Sequence, residues 1–333
     1  MYIKLLLTGI GFFILSFFCN AQSVHEYKIV KTYKIQSGGG WDYIAINKNN
    51  LYVSHSTQVN ILNKTTGDSI GVIPNTNGVH GIAFDNALNS GYTSNGRSNN
   101  VTVFNLATNE VVSQIPTGEN PDAIMYEPFS KTIITCNRRS KDISIIDPKE
   151  GKVIATVAIG GKPETAVSDG AGKLFVNNED KSEIEVVDLK TFTVTDHWSI
   201  SPGEAPTGLA YDKSTKRLFA GCDNKLLMVL DATTGKVVDK LPIGDGCDGV
   251  AFDSKNKIIF TSNGEGTLTA IQELTGNKFS VLGNFPTKRG ARTITLDENT
   301  GMLYLPTADF EQTNTQNGRP RMIPGTFQVL VVQ

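Results

Sequence analysis

Residues 206–244 read PTGLAYDKSTKRLFAGCDNKLLMVLDATTGKVVDKLPIG. Four runs, PTGLAYD, RLFAG, MVLD and KVVDKLPIG, alternate apolar and polar side chains with period two. Asp-Lys-Ser-Thr-Lys, Cys-Asp-Asn-Lys and Thr-Thr-Gly separate them. Alternation punctuated by Gly, Asn and Asp is the pattern of short antiparallel strands. The opening run recurs along the chain as WDYIAIN (41–47), VHGIAFD (79–85), PDAIMYE (121–127), PETAVSD (163–169), CDGVAFD (247–253) and ARTITLD (291–297). The residues that end these seven runs are spaced 38, 42, 42, 43, 41 and 44 apart. A period in the low forties with four strands in each unit predicts an all-β, seven-bladed β-propeller of four-stranded antiparallel blades. A chain of 333 residues is long for one hydrophobic core, and stacked repeats escape that limit because each buries its face on a neighbour.

Strand counting predicts how the ring closes. The seventh unit offers a first strand at 292–297, a second near 303–307 and a third at 326–332, and then the chain ends. The spare strand is YKIVKTYKI at 27–35, within a closing segment 22–36 that would complete blade seven. Residues 308–325 (ADFEQTNTQNGRPRMIPG) form a long polar connection on the same face as the ends of the second strands, where Arg319 and Arg321 could reach over the channel.

Residues 1–21 read as a cleaved export signal: Lys4, an apolar core at 5–18, then Cys19-Asn20-Ala21 with small residues flanking a cut before Gln22. Acylation at Cys19 fits less well, because Phe17 and Phe18 stand where a lipoprotein site needs small residues. The expectation is therefore a periplasmic or secreted protein, with residues 22–333 as the propeller and no transmembrane segment. Losing Lys4 leaves 30 cations against 33 acids. That balance argues against nucleic acid as a partner.

The repeats resemble the YVTN-type units of the YncE-like propeller family over nearly the whole mature chain. Segments such as NRRSKDISIID at 137, GGKPETAVSDGAGKLFVNNEDKSEIEVVD at 160, SNGEGTLT at 262, RGARTITLD at 289 and MIPGTFQVLVV at 322 resemble an exported bacterial branch. The resemblance implies an exported propeller and names no reaction.

Strand order alone brings two sets of side chains to one face. The second residue of each opening run gives a ring of Asp42, His80, Asp122, Glu164, Thr207, Asp248 and Arg292. The ends of the second strands add Arg138, Asn178, Glu179 and Asn263. Carboxylates and amides there could hold a hard divalent cation, calcium or magnesium, at Asp122, Glu164, Asn178 and Asp248. Arginines could hold a carboxylate or phosphate. The competing reading is that recurring Asn and Asp residues cap turns. Asp122 and Glu164 open neighbouring blades, so Arg138 or a cation is expected between them. Of the cysteines, Cys222 and Cys247 fall on adjacent blades at that face and are a candidate disulfide in an oxidising compartment.

No GxSxG, HExxH or glycine-rich phosphate loop occurs. The leading function is thus a binding or scaffold module for a small polar ligand, glycan or protein on this face. The alternative is a metal-assisted, lactonase-like hydrolase or a lyase using the ring.

Overall fold

The computed structural model describes residues 26–314 and 320–333, so the expected leader at 1–21 and Arg319 lie outside the described residues. Seven four-stranded antiparallel sheets form a seven-bladed β-propeller. Blade five has strands Pro206–Asp212, Arg217–Cys222, Leu226–Asp231 and Val237–Pro242, innermost first. Blades one to four and six repeat this order from Trp41, Val79, Pro121, Pro163 and Cys247. No helix among the described residues is long and apolar enough to cross a membrane.

Blade seven combines the two ends of the propeller. Its strands run Thr295–Asp297, Met302–Thr307, Gln328–Val332 and then Ile29–Lys34. The last pair is antiparallel, with Thr32 opposite Leu330 and Lys34 opposite Gln328. Tyr33 anchors the closing strand to blade one through its hydroxyl, which donates to the Thr65 carbonyl at 2.8 Å.

Buried apolar side chains among the described residues fall into seven clusters, one at each blade junction. Tyr52, Ile61, Ile82 and Phe104 fill the junction of blades one and two. Phe175, Leu218 and Met228 fill that of four and five. The closing strand serves two junctions: Tyr27 packs with Phe260 and Leu305 between blades six and seven, and Tyr33 with Leu51 and Val329 between seven and one. Period-two alternation is what lets one strand feed both faces of its blade.

Acids that end the inner strands cap turns. Asp85 accepts from the N–H groups of Ala87 and Leu88 at 2.9 and 3.2 Å, and Asp253 from Lys255 and Asn256 at 3.0 and 2.9 Å. Asp147, Asp188 and Asp231 do the same after third strands. Two details depart from expectation. The inner strand of blade seven starts at Thr295 rather than 292, and the Arg292 N–H is spent in a turn bond to the Gly290 carbonyl at 2.9 Å. The long 308–325 connection contains a small two-stranded ribbon, Phe310–Asn314 against Pro320–Met322, where no strand was expected.

Candidate functional site

Each ring residue is placed by a break in its own strand. In blades one to six the pairing of the inner with the second strand shifts register at the ring position, as between Pro121 and Ile124, Pro163 and Ala166, or Cys247 and Gly249. A bulge leaves backbone groups free of the ladder and re-aims a side chain. The freed groups bond to the blade before. Ser94 Oγ donates to the Asp122 carbonyl, Ser262 Oγ to that of Arg292, and Asn177 Nδ2 to that of Thr207 at 3.1 Å. In blades two, four and six a residue near the end of the second strand thus locks the next blade's ring residue at the mouth.

The side chains form one connected ion-pair network. Arg138 lies between Asp122 and Glu164: Nε is 2.9 Å from Glu164 Oε2 and Nη1 is 3.6 Å from Asp122 Oδ2, while Nη2 meets Glu179. His80 Nδ1 is 2.6 Å from Asp42 Oδ2 and 3.6 Å from Asp122 Oδ1. Arg292 reaches Asp42 Oδ1 at 3.6 Å and pairs with Asp248 through Nε. Five carboxylates therefore face two guanidinium groups and one imidazole.

That imbalance is concentrated where water is scarce. Asp122 and Glu164 are 3% and 7% exposed. Asp122 Oδ1 and Glu164 Oε2 are enclosed, and their contacts with His80 and Arg138 are ion pairs without hydrogen-bond geometry. Burial pushes the Asp122 carboxyl up to about 7; His80 and Arg138 pull it down, and Asp42 and Asp248 push it further up. Glu164 is driven well above the usual carboxylate range by burial and then by Asp122. Asp248 is raised by burial against the pull of Arg292. Burial alone would lower His80, but the hydrogen bond to Asp42 and the charges of Asp122 and Asp42 outweigh it and raise its pKa. Charge buried in excess of its partners shifts toward the neutral form in this way.

Above the network lies a hollow of about 390 Å³, lined by Trp41, Asp42, Ser56, His80, Arg97, Asn120, Arg139 and Arg292. Arg97 and Arg139 are exposed and make no ion pair among the described residues. Gly78 permits this wall: it adopts φ +71°, and a Cβ there would stand 2.8 Å from the Arg97 nitrogen. Arg97 and Trp41 were not singled out from sequence. The signal for Arg97 was its position just past a second strand, equivalent to that of Arg138 and Arg139.

Below the network, Tyr43 crosses the channel and its hydroxyl lies 3.3 Å from Thr165 Oγ1. It separates two cavities of about 170 and 160 Å³ with largely apolar walls.

Other expected site residues fall elsewhere. Asn178 donates from Nδ2 to Glu185 Oε1 at 2.7 Å, inside blade four. Asn263 donates to Thr267 and Thr269 at 3.1 and 3.0 Å, and Thr261 donates to its Oδ1. Both amides are consumed by strand pairing, as are those of Asn95 and Asn137. The expected cation set of Asp122, Glu164, Asn178 and Asp248 is accordingly not gathered. Asn178 points into its blade and Asp248 turns to Arg292. The grouping that does form at the mouth is Asp42, His80 and Asp122, with ligand atoms within 4.8 Å of one another. Cys222 and Cys247 are free, buried thiols rather than a disulfide. Cys222 packs at the junction of blades four and five and Cys247 at that of five and six, so blade five separates them.

Comparison with protein families and with curated proteins finds no match. Among solved structures the chain is similar to hydrazine synthase of Kuenenia stuttgartiensis, at 15% identity and a TM-score of 0.71, covering 87% of this chain and 97% of that one. At that identity the likeness concerns the fold, and the molecule is a seven-bladed β-propeller with a charged channel mouth.

Proposed function

We propose that this chain is an exported, YncE-like binding module that takes a small polar ligand bearing an anionic group at the channel mouth. The observation that carries this reading is the hollow of about 390 Å³ walled by Arg97, Arg139 and Arg292 over the Asp42–His80 pair. The guanidinium groups of Arg97 and Arg139, which make no ion pair among the described residues, suit a carboxylate or phosphate, and Asp42 and His80 suit hydroxyl or amine groups on the same molecule. Acidic sugars and the carboxylate face of a protein or glycan partner share this chemistry. The test uses citrate, inorganic phosphate and glucuronate in thermal-shift and calorimetric titrations. At least one should stabilise the protein, and Arg97→Ala with Arg139→Ala should abolish the effect while leaving the unliganded melting temperature unchanged. Silence from all three anions, or stabilisation that survives the double variant, would overturn the reading.

A metal-assisted hydrolase or lyase is the second reading, favoured by the convergence of Asp42, His80 and Asp122. An ion there would polarise a carbonyl and activate water. Elemental analysis showing a divalent ion that is lost in His80→Ala would favour it over simple binding.

A further inference from the structure

Blade four departs from blades two, three and six at one position of its third strand. The third residue of the third strand is Thr102 in blade two, Ser144 in blade three and Thr269 in blade six. In each, a hydroxyl accepts the amide of the asparagine that ends the second strand, at 2.8, 2.9 and 3.0 Å. Blade four has the same asparagine, Asn178, but its partner is Glu185. The cross-strand neighbours on the outer strand change as well. They are Gln114, Thr156 and Asn284 in the three sister blades and His197 here.

Neutral hydroxyls satisfy this position three times over, so strand pairing does not require a carboxylate. Burying one is costly without a positive partner. Glu185 is 1% exposed. Its Oε2 is enclosed and has His197 Nδ1 as its close partner. Glu183, two residues back on the same face of the strand, adds a second carboxylate. The ligand atoms of Glu183, Glu185 and His197 all lie within 4.8 Å of one another. A carboxylate oxygen in contact with an imidazole nitrogen shares a proton with it, and the same two atoms can ligate a divalent cation when that proton is displaced. His197 is 60% exposed, which leaves the outer side open to water.

We propose that Glu183, Glu185 and His197 form a divalent transition-metal site of the zinc type on the outer half of blade four, distinct from the channel mouth. Two carboxylates and one imidazole are a borderline donor set suited to zinc, and three protein ligands leave a fourth position for solvent. Calcium and magnesium prefer six or more oxygens, which this site does not offer. Asn178 holds Glu185 by its other oxygen, as outer partners of metal ligands do.

The test is calorimetric titration of the full mature protein, stripped with chelator, with zinc chloride, calcium chloride and magnesium chloride in parallel. One equivalent of zinc should bind, and that binding should weaken by at least about tenfold in Glu185→Thr and in His197→Ala. Glu185→Thr restores the residue of blades two and six, so it should melt no lower than the parent without metal. The same equivalent should persist in His80→Ala, which alters only the mouth. No zinc binding would overturn the proposal. So would zinc binding that survives Glu185→Thr and His197→Ala, its loss in His80→Ala alone, or a preference for calcium or magnesium.

Discussion

Asp122, Glu164 and Asp248 illustrate how a buried carboxylate writes itself into the pH dependence of stability. Each has a folded-state pKa above its ordinary value, Asp122 at about 7. Such a group binds its proton more tightly in the folded chain. Its contribution is fullest below the ordinary carboxylate range and is lost as pH rises through the folded value. Replacing Asp122 by Asn together with Glu164 by Gln should therefore help more at pH 8 than at pH 5. The gap between variant and parent should widen by at least about 1 kcal/mol across that window, read from urea unfolding at both pH values. A gap that shrinks as pH rises would show that Arg138 fully neutralises the pair. The asparagines behave oppositely. Asn137 accepts from Thr135 at 3.0 Å and donates to Asp142 and Ser144 at 2.7 and 2.9 Å, all within blade three. Asn137→Ala strands those groups and should cost about 2–3 kcal/mol at every pH. Sequence brought both residue types to the same face. It could not tell them apart, because position along the strand fixes which end a residue reaches, whereas the bulge decides which way its side chain turns.

The closing strand Ile29–Lys34 contributes a ladder to Gln328–Val332 and ring packing at two junctions through Tyr27 and Tyr33. Removing residues 22–35 would expose an apolar edge in blade seven whose five residues are otherwise buried. An open edge of that kind invites pairing with other chains. The shortened protein should melt at markedly lower temperature and elute as aggregates in size-exclusion chromatography. A monomer that melts like the parent would mean that the two ends do not hold the ring. This strand was legible from a count alone, since one unit lacked a fourth strand and one segment had no unit. The ribbon of Phe310–Asn314 and Pro320–Met322 was not legible. Its residues, Glu-Gln-Thr-Asn and Pro-Arg, carry little apolar alternation.

Across the propeller, the blades act as partitions. Blade five keeps Cys222 and Cys247 in different junction clusters, and burial pushes the Cys222 thiol up to about 12 and raises that of Cys247. Cys136 lies against the cavity beneath Tyr43 and is raised well above its ordinary value by burial. High pKa and low access make a thiol inert. Ellman's reagent should therefore leave all three untouched in the folded protein and label all three once it is denatured without reductant. Finding only one after denaturation would restore the disulfide. Tyr43→Ala, which removes the group crossing the channel to Thr165, should speed labelling of Cys136 specifically.

Period-two alternation, the spacing of the seven runs and the orphan strand at the amino end determined blade number, strand order and closure, because these follow from local side-chain alternation and counting. They also placed Asp42, His80, Asp122, Glu164, Asp248, Arg138, Glu179 and Arg292 at one mouth. Which charges pair across that mouth, why Asn178 and Asn263 leave it, and why Cys222 and Cys247 never meet required the assembled ring. Those outcomes depend on bulges, on the face of the strand a side chain takes, and on neighbours some 40 residues or more away in sequence, as Arg292 is from Asp248.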